Sequence, residues 1–209
     1  MTEWHKIVEF FLIYGAAVIS PGPNFVMVVR ESASSTRKAG LMMTAGFGLG
    51  ILIQASSAAF GVKVLFEIYP QAIKGIQYLG AIYLGYLGLV GLLSKARSEP
   101  VAEKVKANAR GLFKAFKIGL LTQLSNPYAT VFTLSTFALL YDPDYLVRLA
   151  YVAVAVSLVI FWYGTVSVFL TNPRLQSKLY QFRHWIDRGA GIVLLYIAFK
   201  IGLADISMP

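Results

Sequence analysis

The sequence predicts an all-α integral membrane protein of six transmembrane helices, built as two inverted three-helix repeats with helices 1 and 4 broken at proline. Three observations predict it. The 209-residue chain is 57% hydrophobic and only 14% charged, against roughly 25% charged in an average soluble domain, and its mean hydropathy is +0.64. Six apolar runs each approach the ~20 residues needed to cross about 30 Å of hydrocarbon. The basic residues gather in alternate gaps between those runs.

The first run, Ile7–Val29, holds Pro21-Gly22-Pro23 where a signal peptide would have small residues, and Arg30, Arg37 and Lys38 follow it. It is expected to stay as an anchor, not to be cleaved. The second, Ala39–Phe66, carries Gly46-x-x-x-Gly50, a spacing that lets helix backbones approach in lipid. The third, Pro70–Leu93, adds Gly80, Gly85, Gly88 and Gly91. Ser94–Gly111 is charged, contains Pro100, and divides the single 1–209 domain into repeat 1 (1–93), a linker (94–112) and repeat 2 (113–209). Repeat 2 offers Phe113–Leu140, Tyr145–Leu170 and Trp185–Ile206, the last with Gly189 and Gly191 and interrupted by Lys200. Lys200 would snorkel towards the interface, and a five-helix topology is the rival. Packing is the expected role of the glycines.

Of the 19 Lys and Arg residues, 14 fall in 30–38, 94–117 and 172–188. The positive-inside rule puts those three loops in the cytoplasm and both termini outside. The same placement accounts for the net charge of +9 without a nucleic-acid partner. The chain has no Cys and only two His, His5 and His184. Disulfides, Cys-based redox centres and His-cluster metal sites are therefore excluded, and no cofactor is expected.

Helix 1 contains Ser20-Pro21-Gly22-Pro23-Asn24 and helix 4 contains Ser125-Asn126-Pro127. Each proline removes an N–H and clashes with the carbonyl four residues earlier, which frees the carbonyls of Ala17, Ile19 and Gln123. Both helices should break there. Gly22 and Asn126 are expected as N-caps, with Pro23 and Pro127 at the first helical position. The positive N-terminal end of each half-helix suits a carboxylate, and freed carbonyls suit an ammonium group. A zwitterionic amino acid has both. Ser20, Asn24, Gln54, Thr122, Gln123, Ser125, Asn126 and Thr130 are the nearby polar candidates. Proton coupling usually needs an ionisable group inside the membrane, and Asp187, at the inner entrance to helix 6 beside Arg188 and His184, is the coupling candidate.

The chain resembles the LysE/RhtB amino-acid exporters over essentially its whole length. The resemblance rests on four stretches in order: Ser20-Pro-Gly-Pro-Asn-Phe-Val-Met-Val-Val29 with Ser35-Thr-Arg-Lys-Ala-Gly-Leu41, Gly80-Ala-Ile-Tyr-Leu-Gly-Tyr-Leu-Gly88, Gly119-Leu-Leu-Thr-Gln-Leu-Ser-Asn-Pro127, and Trp185-Ile-Asp-Arg-x-Ala-Gly191. It implies export of amino acids or their derivatives from the cytoplasm across a bacterial inner membrane, driven by protons, with the threonine/homoserine branch most similar. The chain departs from many members at Ile51, Gln54 and Asn24, where they have titratable residues.

Two other classes stay in view. A passive channel or non-transporting subunit would share the helices but would not exchange substrate. A membrane-embedded enzyme needs a nucleophile with a base, or metal ligands, and the sequence lacks both sets. Sequence leaves open which amino acid is carried and whether the protein is a monomer or a homo-oligomer.

Overall fold

The computed structural model describes residues 3–20, 23–34, 36–94, 111–169 and 173–203. All regular structure among them is helical: α1 (Glu3–Ile19), α2 (Pro23–Ser34), α3 (Arg37–Ile68), α4 (Pro70–Leu92), α5 (Leu112–Leu124), α6 (Pro127–Leu139), α7 (Tyr145–Phe169) and α8 (Pro173–Leu203).

Both expected breaks are present. α1 closes with the Ser20 N–H on the Ala16 carbonyl at 3.2 Å, and α2 starts at Pro23. Pro21 and Gly22 themselves, with the Gly22 N-cap assignment, lie outside the described residues. α5 ends at Leu124, and Asn126 turns to extended geometry (φ −81°, ψ 104°), as the residue before a proline must. Pro127 then opens α6, and the Asn126 side chain accepts the Ala129 N–H at 3.3 Å, which is the expected N-cap. The four pieces are 17, 12, 13 and 13 residues long, each short of the ~20 needed to span alone.

Among the described residues, two segments are long and apolar enough to cross a membrane unaided, Arg37–Val62 and Tyr145–Phe169; Ala81–Leu92 is a shorter apolar stretch. The exterior is apolar as well. Leu79, Ile82, Leu146 and Phe161 are 68–74% exposed, which a lipid-facing surface allows and an aqueous one penalises.

One boundary needs correction. The stretch 172–188 was expected to be a loop, yet α8 starts at Pro173 and runs unbroken past Lys200 to Leu203. Pro173 is suited to a first helical position, and no Gly or Pro follows until Gly189, so charge there does not stop the helix. The linker 95–110 lies outside the described residues.

Glycine sets the closest helix contacts. A Cβ on Gly46 would strike the backbone of Phe116 and Leu120, and one on Gly119 would strike Met43, so α3 and α5 meet backbone to backbone. Gly88, Gly91 and Gly191 do the same between α4 and α8. Of the glycines expected to pack, Gly46, Gly88, Gly91 and Gly191 have that role, whereas a Cβ on Gly189 would meet nothing within 4 Å. At the other end of the α1 cluster, Phe10 stacks on Tyr151 at 4.5 Å between centroids and meets the edge of Phe137 at 5.2 Å. Lys6 pairs with the buried Asp142 just beyond these rings. Arg148 is buried nearby, donating to the Ala59 carbonyl at 3.4 Å.

Candidate functional site

The two breaks meet. Asn126 Nδ2 donates to Asn24 Oδ1 at 3.2 Å, so the first turns of α2 and α6 touch through their amides. Asn24 Nδ2 donates to Gln123 Oε1 at 2.6 Å. Gln123 Nε2 donates to Gln54 Oε1 at 2.8 Å. Gln54 Nε2 donates to Thr130 Oγ1 at 2.7 Å, and Thr130 Oγ1 donates to the Asn126 carbonyl at 3.0 Å. The chain of donors thus closes on itself through α2, α5, α3 and α6.

Gln54 has a second role. It also donates to the Gln123 backbone carbonyl at 3.1 Å, the carbonyl that Pro127 deprives of its helical donor. The Asn126 N–H also reaches that carbonyl at 3.2 Å, so a side chain from α3 joins the backbone in satisfying the break between α5 and α6. Gly50, one turn before Gln54, makes room: a Cβ there would lie 2.7 Å from Gln123 Cβ.

A cavity opens beside this ring, about 450 Å³ with its mouth included. Asn24, Gln123 and Asn126 form its polar wall; Tyr14, Val18, Ile51, Tyr128, Phe132, Val159 and Tyr163 form much of the rest. No Asp, Glu, Lys, Arg or His lines it among the described residues. Ala17 also lines it, and Pro21 has no N–H to give the Ala17 carbonyl. The first turn of α6 contributes Tyr128 and Ala129, with the dipole of that half-helix behind them. A neutral cavity that meets a helix start and a freed carbonyl can take a zwitterion without burying an unpaired charge.

The LysE type translocator family model matches residues 16–204. The chain belongs to the LysE family. An uncharacterised membrane protein of Pseudomonas aeruginosa is 32% identical over 199 residues, covering 91% of each chain. The threonine efflux protein of Escherichia coli K12 is 28% identical over 197 residues, covering 92% of this chain and 94% of that one. A Haemophilus influenzae membrane protein is 29% identical over 196 residues, 91% and 92% of the two chains. No solved structure matches. Membership makes the protein a membrane translocator, and its relatives include efflux proteins.

The expected site residues of this LysE protein divide into three groups. Ser20, Asn24, Gln123 and Asn126 come together on the cavity wall. Gln54 stands behind it, holding Gln123 without lining the cavity. Ser125 and Pro127 are exposed and line nothing there: the turn at the break rotates them outwards. Pro21 and Gly22 lie outside the described residues, as does the Pro23 side chain.

Asp187 has partners that sequence did not suggest. Its two carboxylate oxygens accept from Ser20 Oγ and Ser94 Oγ, each at 3.0 Å, so it ties the α1 break to the end of α4. Arg188 Nε donates to the Ser94 carbonyl at 3.2 Å and its guanidinium covers the Trp185 ring at 5.3 Å. Two features were missed. Tyr14 bonds Thr133 through their hydroxyls at 2.7 Å and closes the cavity towards the aromatic cluster. Glu31, on α2, is only 3% exposed; its signal was a carboxylate two turns beyond Asn24.

Proposed function

We propose that this protein is a secondary transporter that exports a small amino acid or derivative, of the threonine or homoserine kind, from the cytoplasm across a bacterial inner membrane in exchange for protons. The observation that carries the reading is the Asn126–Asn24 hydrogen bond at 3.2 Å, which brings two half-helix starts to one neutral cavity. The substrate carboxylate would face the first turn of α6, and its ammonium group the Ala17 carbonyl and the Asn24 amide oxygen. The threonine efflux relatives support amino-acid export in general.

The reading includes six spans in two inverted repeats, with α1 plus α2 and α5 plus α6 as the two broken helices. Inversion is what lets one site face either side by rocking one half on the other. Several contacts support it. α3 packs on α5 as α7 packs on α1, and α3 packs on α6 as α7 packs on α2, while α3·α7 and α4·α8 cross between halves. Contacts between distant segments agree with six crossings. Lys6 meets Asp142 at one face, and Ser94 meets Asp187 at the other. Asp187 is the coupling candidate nearest the cavity, because its carboxylate holds both Ser20 and Ser94.

The test is counterflow in proteoliposomes, with labelled threonine as the first probe and a panel of amino acids after it. Saturable exchange is expected. A leak that never saturates, or no amino acid exchanged, would defeat the proposal.

A further inference from the structure

Lys6, Phe10 and Tyr14 follow one another at intervals of four residues on α1, so they share one face of that helix. Tyr14 is where this face meets the cavity, and Ala17, Val18 and Ser20 line the cavity further along α1. In the other direction the face leads from Tyr14 to Lys6, a rise of about 12 Å on an α-helix. That interval is filled with rings. Phe10 stacks on Tyr14 at 5.2 Å between centroids, with planes 10° apart, and on Tyr151 of α7 at 4.5 Å and 5°. Phe137 of α6 stands edge-on to both, 5.2 Å from Phe10 and 6.2 Å from Tyr151. All four rings are 0–3% exposed. A zwitterion has no way through them as they stand, because the packing leaves no room and each charge would be stripped of water with nothing in exchange. The Lys6–Asp142 pair caps the stack. Asp142 is buried, whereas the Lys6 side chain is 35% exposed, so the pair sits at a rim where water can take up both charges when it parts.

The helices differ in how they are seated. α3 meets α5, and α4 meets α8, backbone to backbone at glycines. α1 has Gly15, and a Cβ there would come no nearer than 3.9 Å to Leu158 of α7, an ordinary van der Waals distance. At Gly15, then, α1 rests on α7 through a side chain. Flat stacks such as Phe10 on Tyr14 and Tyr151 part by sliding ring across ring, which interlocked backbones do not allow. α1 is also a separate 17-residue piece, cut from α2 by the break. Each of its ends is held to the second half of the chain by a polar contact: Lys6 to Asp142, and Ser20 to Asp187 at 3.0 Å.

We propose that the aromatic stack and the Lys6–Asp142 pair form the outer gate of the transporter, closed in this structure, and that α1 is the element that moves to open it. The inference rests on the transport reading above, which puts Lys6 on the outer side. To release substrate, the outer half of α1 swings from α6 and α7. The ion pair parts into water, Phe10 slides off Tyr151, and the Tyr14 hydroxyl leaves Thr133. Ser20 stays on Asp187 meanwhile, so the inner side remains shut while the outer side opens, as alternating access requires.

Two measurements test the gate. The first needs no substrate. Val18→Cys places one thiol on the cavity wall of a chain that has no other Cys, and a membrane-impermeant maleimide is added to right-side-out vesicles. Labelling should be slow with the pair intact and about ten-fold or more faster with Lys6→Ala added. Lys6→Asp combined with Asp142→Lys should return it to within about two-fold of the slow rate. Fast labelling with the pair intact, no acceleration by Lys6→Ala, or a charge swap as fast as Lys6→Ala would each overturn the proposal. The second uses Lys6→Cys with Asp142→Cys in proteoliposomes and a reducible thiol crosslinker. Crosslinking should cut exchange of labelled threonine about ten-fold or more relative to the same protein before treatment, and reduction should restore it. Full exchange by the crosslinked protein, or failure of the two thiols to crosslink, would overturn the gate. Absence of exchange with every amino acid before crosslinking would sink the transport reading instead, while the labelling rates would still show whether this face opens.

Discussion

Asn24 and Asn126 give the sharpest test, because their amides bond each other. To use either amide, a substrate must first break the 3.2 Å contact between them. A neutral hydrogen bond contributes about 0.5–1.5 kcal/mol and one to a charged group about 1.5–3 kcal/mol. The net gain on binding is therefore about 1–1.5 kcal/mol per amide, and Asn126→Ala should raise the substrate constant roughly five- to ten-fold. Asn24→Ala should do the same and also leave Gln123 Oε1, buried on Gln123 at 2% exposure, without its donor. The double variant should exceed the sum by about 0.5–1.5 kcal/mol, since each single already escapes the cost of breaking the bond between the pair and that cost can be escaped only once. The assay is the half-saturation concentration for exchange in proteoliposomes, for the two single variants and the double, with expression and monodispersity held equal. Strictly additive effects, or two singles with unchanged affinity, would refute a shared site.

Three further outcomes follow from the same geometry. Gln54→Leu removes one of the two donors to the Gln123 carbonyl and the acceptor of the Gln123 Nε2, so detergent-solubilised protein should lose about 1–3 kcal/mol of stability; an unchanged melting temperature would show that Gln54 holds nothing. Gly191→Ala should cost about 1–3 kcal/mol through overpacking, because its Cβ would lie 2.6 Å from both Gly88 O and Leu92 N, whereas Gly189→Ala meets nothing within 4 Å and should be tolerated; equal melting shifts for the two would contradict the α4·α8 contact. Because the chain has no Cys, Ser98→Cys and Ser177→Cys report topology singly: both should label only from the cytoplasmic side, while a Cys added at either terminus labels from outside.

The breaks were legible because proline acts locally: Pro127 removes a known N–H and constrains Asn126 whatever surrounds them. The polar partners were half legible. Gln54, Gln123, Asn126 and Asn24 stand out in apolar runs, but their order in the ring depends on helix rotation. Phase at a break is the weak point, and it is why Ser125 and Pro127 were expected at the cavity and face away. Asp187 was read with its sequence neighbours, whereas its partners Ser20 and Ser94 are 167 and 93 residues distant. The start of α8 was missed because charge was taken as a loop signal, although Lys, Arg and Glu are good helix formers.

The glycine seam between α4 and α8 has a thermal consequence. The hydrogen that a Cβ would replace on Gly191 points at the Gly88 carbonyl, and that on Gly88 at the Gly191 carbonyl, the arrangement of reciprocal Cα–H···O contacts. Such a joint orders no side chains on its glycines and, in lipid, draws nothing from the expulsion of water. Hydrophobic association weakens on cooling. This seam has no such contribution to lose, so its strength follows the distance between two backbones and should hold nearly constant as the membrane cools.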